Sequence, residues 1–355
     1  MSNIKTQKNL LNEETITQPH CIRVILEPLK GKHDRKSAKR ILWFLSAHAR
    51  WLQRLVLNDT FVPSEYAEET RIEYGKERHI QKTRLFPDQC IHHLLIEVIR
   101  PFLLKRIDPY AVASIPERGI HYGLKYHEKW IQKEKHCRSN AKYCWKGDIR
   151  KCFESLKPEV VYREISKIVK DKLWLSIFKK VIFSYESLPL GNYMSSYILN
   201  IILKPMDDRI RALPCTKHYL RYMDDFIILG SNKREMKQIR DVVVEDLGKL
   251  GLELKPNYQL FKVDDRGVDM LGFRVFRHYT ILRKRNLKHI YRLVNRMSNQ
   301  KIYSLHDCRA LLSMYGQLKH CHSTKILKYI SEKINMDMVH KVASENRDTT
   351  KIKVL

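Results

Sequence analysis

The sequence predicts an α+β fold in which an antiparallel sheet carries helices behind it and a basic helical bundle follows. Three observations predict this. Short apolar runs of strand type gather in the middle of the chain, at Ala141 to Ile149, His218 to Leu229, Leu252 to Leu254, Tyr258 to Val263 and Met270 to Phe276. Segments with apolar residues at helical spacing alternate with them. The last long stretch, Arg283 to Ile334, reads as helical and strongly basic.

In chain order, residues 1 to about 20 are polar and read as a flexible or loosely docked arm. Lys32 to Leu57 sets Ile41, Leu42, Phe44, Leu45, Trp51, Leu52 and Leu55 at roughly helical spacing among Lys, Arg and His. This predicts one or two amphipathic helices whose basic outer face is either solvated or in contact with nucleic acid. Glu73 to Arg84 is polar and basic. A helix is expected through His92 to Leu104, and Pro101 should kink or stop it, because proline lacks an N–H and crowds the preceding turn. Ala111 to Gly123 reads as a loop, followed by an amphipathic helix to about Lys135. Beyond the Ala141 strand, Val160, Val161, Ile165, Ile168 and Val169 mark a helix over Pro158 to Val169. Leu188 to Leu203 opens on a Pro-Leu-Gly turn and continues as a helix. Lys233 to Leu250 repeats helical spacing through Met236, Ile239, Val243 and Leu247, and Gly251 suits its C-terminal cap. After Arg283, positions such as Ile290, Leu293, Val294, Met297, Leu311, Leu327 and Ile330 are spaced for a small bundle, and Val339 to Leu355 reads as a frayed polar tail.

At 355 residues and 43% hydrophobic content the chain can build one large multi-subdomain unit or two ordinary domains. Lys plus Arg number 67 against 39 Asp plus Glu, a formal net charge of +28. Such an excess calls for a polyanionic partner, nucleic acid before an anionic membrane surface. The eight cysteines contain no CxxC pair, which fits reduced thiols in a cytoplasmic protein rather than a disulfide scaffold. Met1 to Gln18 has no apolar signal core, and the apolar stretch Cys90 to Leu104 is interrupted by charge and too short to span a bilayer, so no membrane anchor is expected.

The chemistry gathers at Tyr222-Met223-Asp224-Asp225, between the apolar runs His218 to Leu220 and Phe226 to Leu229. Adjacent carboxylates at a hairpin tip repel unless a cation lies between them. A solvated turn is the plain alternative. Lys146-Gly147-Asp148-Ile149 supplies a third carboxylate at the end of the first strand, and convergent carboxylates suit a two-Mg2+ phosphoryl-transfer centre, with Mn2+ as a substitute.

Asp148 to Leu156, Leu188-Pro189-Leu190-Gly191-Asn192-Tyr193-Met194-Ser195-Ser196, Tyr222 to Asp225, Gly251 to Lys255 and Leu271-Gly272-Phe273 resemble, in order, the palm motifs of bacterial reverse transcriptases. Lys76 to His93 and Asp108 to His121 are similar to the finger motifs. The resemblance covers about residues 70 to 330 and is nearest to the diversity-generating retroelement enzymes and the unclassified, often defence-associated group. It implies a right-hand polymerase fold: an N-terminal basic helical extension over 1–70, fingers and palm over 71–282, a three-helix thumb over 283–338 and a flexible tail over 339–355.

The same resemblance assigns Asp148, Asp224 and Asp225 to metal, with the Ile149 backbone carbonyl assisting, and Lys255 to protonation of the leaving pyrophosphate. A surface lysine is the plain alternative for Lys255. Phe153, five residues after Asp148, takes the place of the aromatic that excludes a ribose 2′-hydroxyl, and it can serve in the core as well. Lys76, Arg78 and Arg84 fall at basic finger positions for the triphosphate, with a solvated basic loop as the alternative. Gly191 would let the backbone approach the nucleotide. Leu190 stands where many retroviral enzymes carry Gln, and an aliphatic residue there resembles the retroelement type, whose copying can be error-prone. Ser195 and Asn200 would touch the template or brace their helix. Tyr222 and Met223 flank the primer end, and Leu271, Gly272 and Phe273 form a primer grip. Ser196 stands where diversity-generating enzymes usually show Gln, which points toward the defence-associated group.

The expected activity is therefore RNA-templated DNA synthesis on a dedicated structured non-coding RNA in an anti-phage system, with a DNA primer, cDNA and deoxynucleotides as partners. An accessory protein or a second copy could join them. Error-prone copying in a diversity-generating retroelement, template-independent or protein-primed synthesis, and a non-catalytic nucleic-acid scaffold are the alternatives. No segment is expected to remain for an RNase H or endonuclease domain. His306, Cys308, His320, Cys321 and His322 lack the spacing of paired zinc ligands and are expected to be ordinary helical or surface residues.

Overall fold

The computed structural model describes residues 9–33, 35–73 and 76–345, apart from the side chains of residues 71–73, 76, 78, 79 and 345. Its strands are β1 (Ala67–Glu73), β2 (Lys76–Lys82), β3 (Tyr143–Arg150), β4 (His218–Tyr222), β5 (Asp225–Gly230), β6 (Glu253–Leu254), β7 (Gln259–Lys262), β8 (Val268–Met270), β9 (Phe273–Val275) and β10 (Thr280–Leu282). The central sheet runs β4-β5-β3-β6, with β7 also pairing with β3, and every pair is antiparallel. A three-stranded sheet, β10-β9-β8, and the β1-β2 hairpin complete the described sheets.

Strand periodicity divides the central sheet between two cores. Successive side chains alternate faces, so Trp145, Gly147 and Ile149 of β3 look one way and Cys144, Lys146 and Asp148 the other. Trp145, Ile149, Tyr219, Phe226 and Ile228 join the larger core with helices Cys90–Arg106, Pro158–Ser166, Lys172–Phe183 and Tyr193–Ile202. Cys144, Leu220, Ile227 and Leu229 join a second core with β8, β9, β10 and the C-terminal helices. A Cβ at position 147 would fall 2.4 Å from the Trp145 ring. Glycine there lets the indole lie along the strand and stack between Phe226 and Tyr258, each at 5.5 Å between centroids.

Several elements depart from the sequence reading. Residues 9–17 are docked: Leu10, Leu11 and Ile16 are buried, the Leu10 N–H donates to Asp171 at 2.6 Å, and Thr17 caps helix Gln18–Leu29. The segment read only as polar and basic contains β2, paired in full register with β1. Helix Cys90–Arg106 runs through Pro101, whose side is exposed and can absorb the missing N–H without a buried penalty. The helix expected to reach Lys135 is Ile120–Glu128, followed by a wider turn over Lys129–Lys133. The tail is helical over Met336–Glu345 because Val339 and Ala343 bury against the second core, and residues 346–355 lie outside the described residues. The C-terminal bundle thus has four described helices, Lys284–Ser298, Leu305–Leu318, Thr324–Lys333 and Met336–Glu345, instead of the three expected. No described helix is long and apolar enough to cross a membrane, and all eight cysteines are free thiols.

Candidate active site

The tip of the β4-β5 hairpin and the end of β3 meet at one point. Tyr222 pairs with Asp225, leaving Met223 and Asp224 as a two-residue turn, and Met223 adopts φ +55°. Asp148 is the register partner of Asp225 on the neighbouring strand, so their side chains share one face. The turn is fixed to β3 by the Ile149 N–H, which donates to the Asp224 carbonyl at 3.1 Å, while the Asp148 carbonyl accepts from the Lys255 N–H at 2.9 Å. The chain bends immediately after β3, where Lys151 takes φ +42° and leads into the helical turn Cys152–Ser155 that holds Phe153 half-buried against the larger core.

Two lysines answer the carboxylates. Lys255 forms an ion pair with Asp148 Oδ1, and the Lys146 ammonium lies 3.6 Å from Asp225 Oδ2. Lys146 also donates to the Asp269 carbonyl, and Asp269 is paired with Arg283, which ties β8 to the site. Asp225 Oδ1 is buried and has no hydrogen-bond partner. Burial, with repulsion from Asp148 and Asp224, pushes the Asp225 carboxyl up to about 6, although Lys146 and Arg283 pull the other way. The face opens into a cleft of about 500 Å³ lined by Lys146, Asp148, Asp225, Tyr258, Arg274 and Arg283 among others.

Among the described residues no group of three or more His, Cys, Asp or Glu is arranged to hold a metal ion, Asp148, Asp224 and Asp225 included. An opposed pair of hard carboxylates with an orphaned oxygen still fits Mg2+, which is commonly held by one or two carboxylates together with substrate phosphates.

Arg221, which sequence reasoning passed over, is fully buried behind the hairpin. Its guanidinium donates to both Asp207 oxygens at 2.8 and 2.6 Å, to Asn200 Oδ1 at 3.0 Å and to the Met223 carbonyl at 3.1 Å. An arginine in the otherwise apolar-aromatic strand His218–Tyr222 was the available signal. Lys146 was legible too, since it lies two residues before Asp148 and therefore on the same face.

The other expected site residues are spread more widely. Ser195 and Asn200 are buried and engaged internally, the Ser195 hydroxyl with the Pro189 carbonyl at 2.6 Å and Asn200 Nδ2 with the Ala113 carbonyl at 3.0 Å. Of the two roles considered for them, the geometry favours bracing over template contact. Leu190 is half-buried and Gly191 is exposed at φ +84°, with Ile80 of β2 packed 3.5 Å from where its Cβ would be. Arg84 is exposed, while the side chains of Lys76 and Arg78 lie outside the described residues. Leu271 and Gly272 form the β8-β9 turn, and Phe273 is buried. Cys308 is buried in the bundle and His306 is largely exposed.

The family profile of reverse transcriptase (RNA-dependent DNA polymerase) matches residues 75–275, more than half of the chain. The chain belongs to the reverse transcriptase family, and its mixed helical and antiparallel architecture is a right-hand polymerase fold. Among solved structures it is similar to apo telomerase from Candida tropicalis truncated from its C-terminal domain, at 14% identity and a TM-score of 0.41. That match covers 61% of this chain and 53% of the telomerase chain, so this chain spans about half of its length. No curated protein matches.

Proposed function

We propose that the protein is an RNA-directed DNA polymerase whose active site is Asp148, Asp224 and Asp225. The observation that carries this reading is the register pairing of Asp148 with Asp225 beside the Met223-Asp224 turn, inside a family match. Two Mg2+ ions, or Mn2+, bound there would activate the primer 3′-hydroxyl and stabilise the leaving pyrophosphate. Asp148 and Asp225 hold the facing positions and Asp224 the turn. Lys255, which pairs with Asp148, would release that carboxylate and give a proton to the leaving group. Primer extension on an RNA template with Mg2+ tests the reading: extension that survives Asp224→Ala with Asp225→Ala would refute the assignment of these carboxylates, and no extension by wild type or variant would favour a non-catalytic scaffold.

Residues 71–282 act as fingers and palm, 283–338 as thumb, and 1–70 as a basic extension. Helix Lys284–Ser298 supports the thumb role, since Lys284, Arg285, Lys288, His289 and Arg292 line one open groove suited to a phosphate backbone. Raising salt from low to moderate concentration is expected to weaken primer-template binding roughly a hundredfold, read by fluorescence anisotropy. A flat salt response would reject the thumb assignment.

Phe153 is the deoxynucleotide gate in this reading. Phe153→Ala is expected to relax discrimination against ribonucleotides roughly tenfold or more, measured by competitive incorporation. An unchanged preference would leave Phe153 as a core residue only. The template is a dedicated structured RNA and the product serves anti-phage defence, a reading supported by Ser196. Sequencing the nucleic acid that copurifies tests it, because adenine-directed substitutions in the cDNA would indicate diversification instead.

A further inference from the structure

Helices Lys36–Trp43 and Leu45–Leu57 lie before the family match, and their outer surface is unusual. Their inner face is already used, since Ala38, Ile41, Ala49, Leu52 and Val56 are buried. Outside, Trp43 is 85%, Phe44 60% and Trp51 52% exposed. Arg35, Lys36, Lys39, Arg40, Arg50 and Arg54 surround them, and no acidic residue occurs over 35–58. Large aromatics grouped on a surface mark an interaction site, and the cations narrow its partner.

The patch continues to the loop that carries Gly191. His48 and Trp51 contact Phe86 at 4.8 and 5.0 Å between centroids. Phe86 belongs to the Leu85–Gln89 turn, and Gln89 accepts from Lys32 at 3.2 Å. Lys32 and Gln89, with His93, Tyr193 and Gly191, line a pocket of about 320 Å³ bounded also by the end of β2. His93 stacks on Tyr193 at 3.8 Å.

Resting on the polymerase reading, we propose that this surface is a platform for single-stranded template RNA, with bases stacking on Trp43, Phe44 and Trp51 and phosphates on the surrounding cations. Every base offers a π-face, so aromatics within a positive surface bind single strands without sequence preference. A second copy would bring the same cations against themselves. A membrane surface matches the composition but not the continuity with the pocket beside Gly191.

The test uses the full chain. Of the five tryptophans, Trp130, Trp145 and Trp174 are buried, so quenching of intrinsic fluorescence by oligouridylate reports on Trp43 and Trp51. Trp43→Ala with Phe44→Ala is expected to weaken binding of a primer-template bearing a long 5′ template overhang roughly tenfold, to reduce the quenching, and to leave a blunt-ended duplex unaffected. Trp43→Phe with Phe44→Tyr should restore overhang binding. Unchanged overhang affinity, or equal loss on the blunt duplex, overturns the proposal. So does a change in sedimentation or in binding to anionic vesicles with RNA affinity intact. Primer extension by the wild-type protein on a minimal overhang separates the two readings: its absence counts against the polymerase, whereas its presence with unchanged overhang affinity in the variant counts against the platform alone.

Discussion

Asp225→Asn is expected to abolish primer extension, by about a thousandfold or more, while raising the melting temperature of the metal-free protein at neutral pH. The activity loss follows from removing one of two opposed carboxylates on β3 and β5. The stability gain follows from the Asp225 carboxyl being pushed up to about 6 by burial and by Asp148 and Asp224. An aspartate with a folded value above its unfolded one favours the fold when protonated. That contribution is full below the unfolded value near 3.8 and is lost as pH rises through about 6. At pH 8 the wild-type fold therefore carries an ionised, partly buried carboxylate, and Asn removes a cost of about 1–2 kcal/mol once solvent and Lys146 are allowed for. Thermal melts at pH 5 and pH 8 check this. The variant should exceed wild type clearly at pH 8 and little at pH 5, and added Mg2+ should raise the wild-type melting temperature more than the variant's. An equal difference at both pH values would separate the stability change from the Asp225 charge.

The acidic turn was legible because its chemistry is local. Tyr222 to Asp225 sit between apolar runs that fold as β4 and β5, and Asp148 ends a strand with clear alternation. What escaped depends on contacts distant in sequence. The β1-β2 hairpin has a polar sequence, so its strands lack the alternation that burial imposes. Leu10 and Leu11 look like parts of a polar arm until Asp171 accepts their backbone N–H groups. Pro101 reads as a helix breaker, yet on an exposed side it leaves no buried orphan. Val339 and Ala343 are too sparse to announce a helix, but the second core supplies their partner surface. Asn200 reads equally as a template contact or a brace because its own helix shows nothing of Arg221, 21 residues away, whose guanidinium donates to Asn200 Oδ1.

Arg221→Met is expected to destabilise the protein by about 3–5 kcal/mol, because it leaves Asp207 fully buried without its counter-charge. Burial already pushes the Asp207 carboxyl up against the pull of Arg221, so the remaining charge has little to hold it. Stability and positioning can be separated. Replacing both partners, Arg221→Met with Asp207→Asn, removes the stranded charge and should recover much of the stability. It does not restore a donor to the Met223 carbonyl or to Asn200 Oδ1, which Arg221 holds at 3.1 and 3.0 Å. The turn carrying Asp224 and leading into Asp225 then loses its rear anchor, and a displacement on the order of 1 Å costs roughly a hundredfold in rate. The double variant should therefore melt near wild type, with kcat for nucleotide addition reduced roughly ten- to a hundredfold and KM for the deoxynucleotide little changed. Arg221→Lys should fall between, since one ammonium cannot reproduce the two-oxygen grip on Asp207 and still reach the turn. A double variant that is both stable and fully active would show that the strand pairing of Tyr222 with Asp225 holds the turn without Arg221.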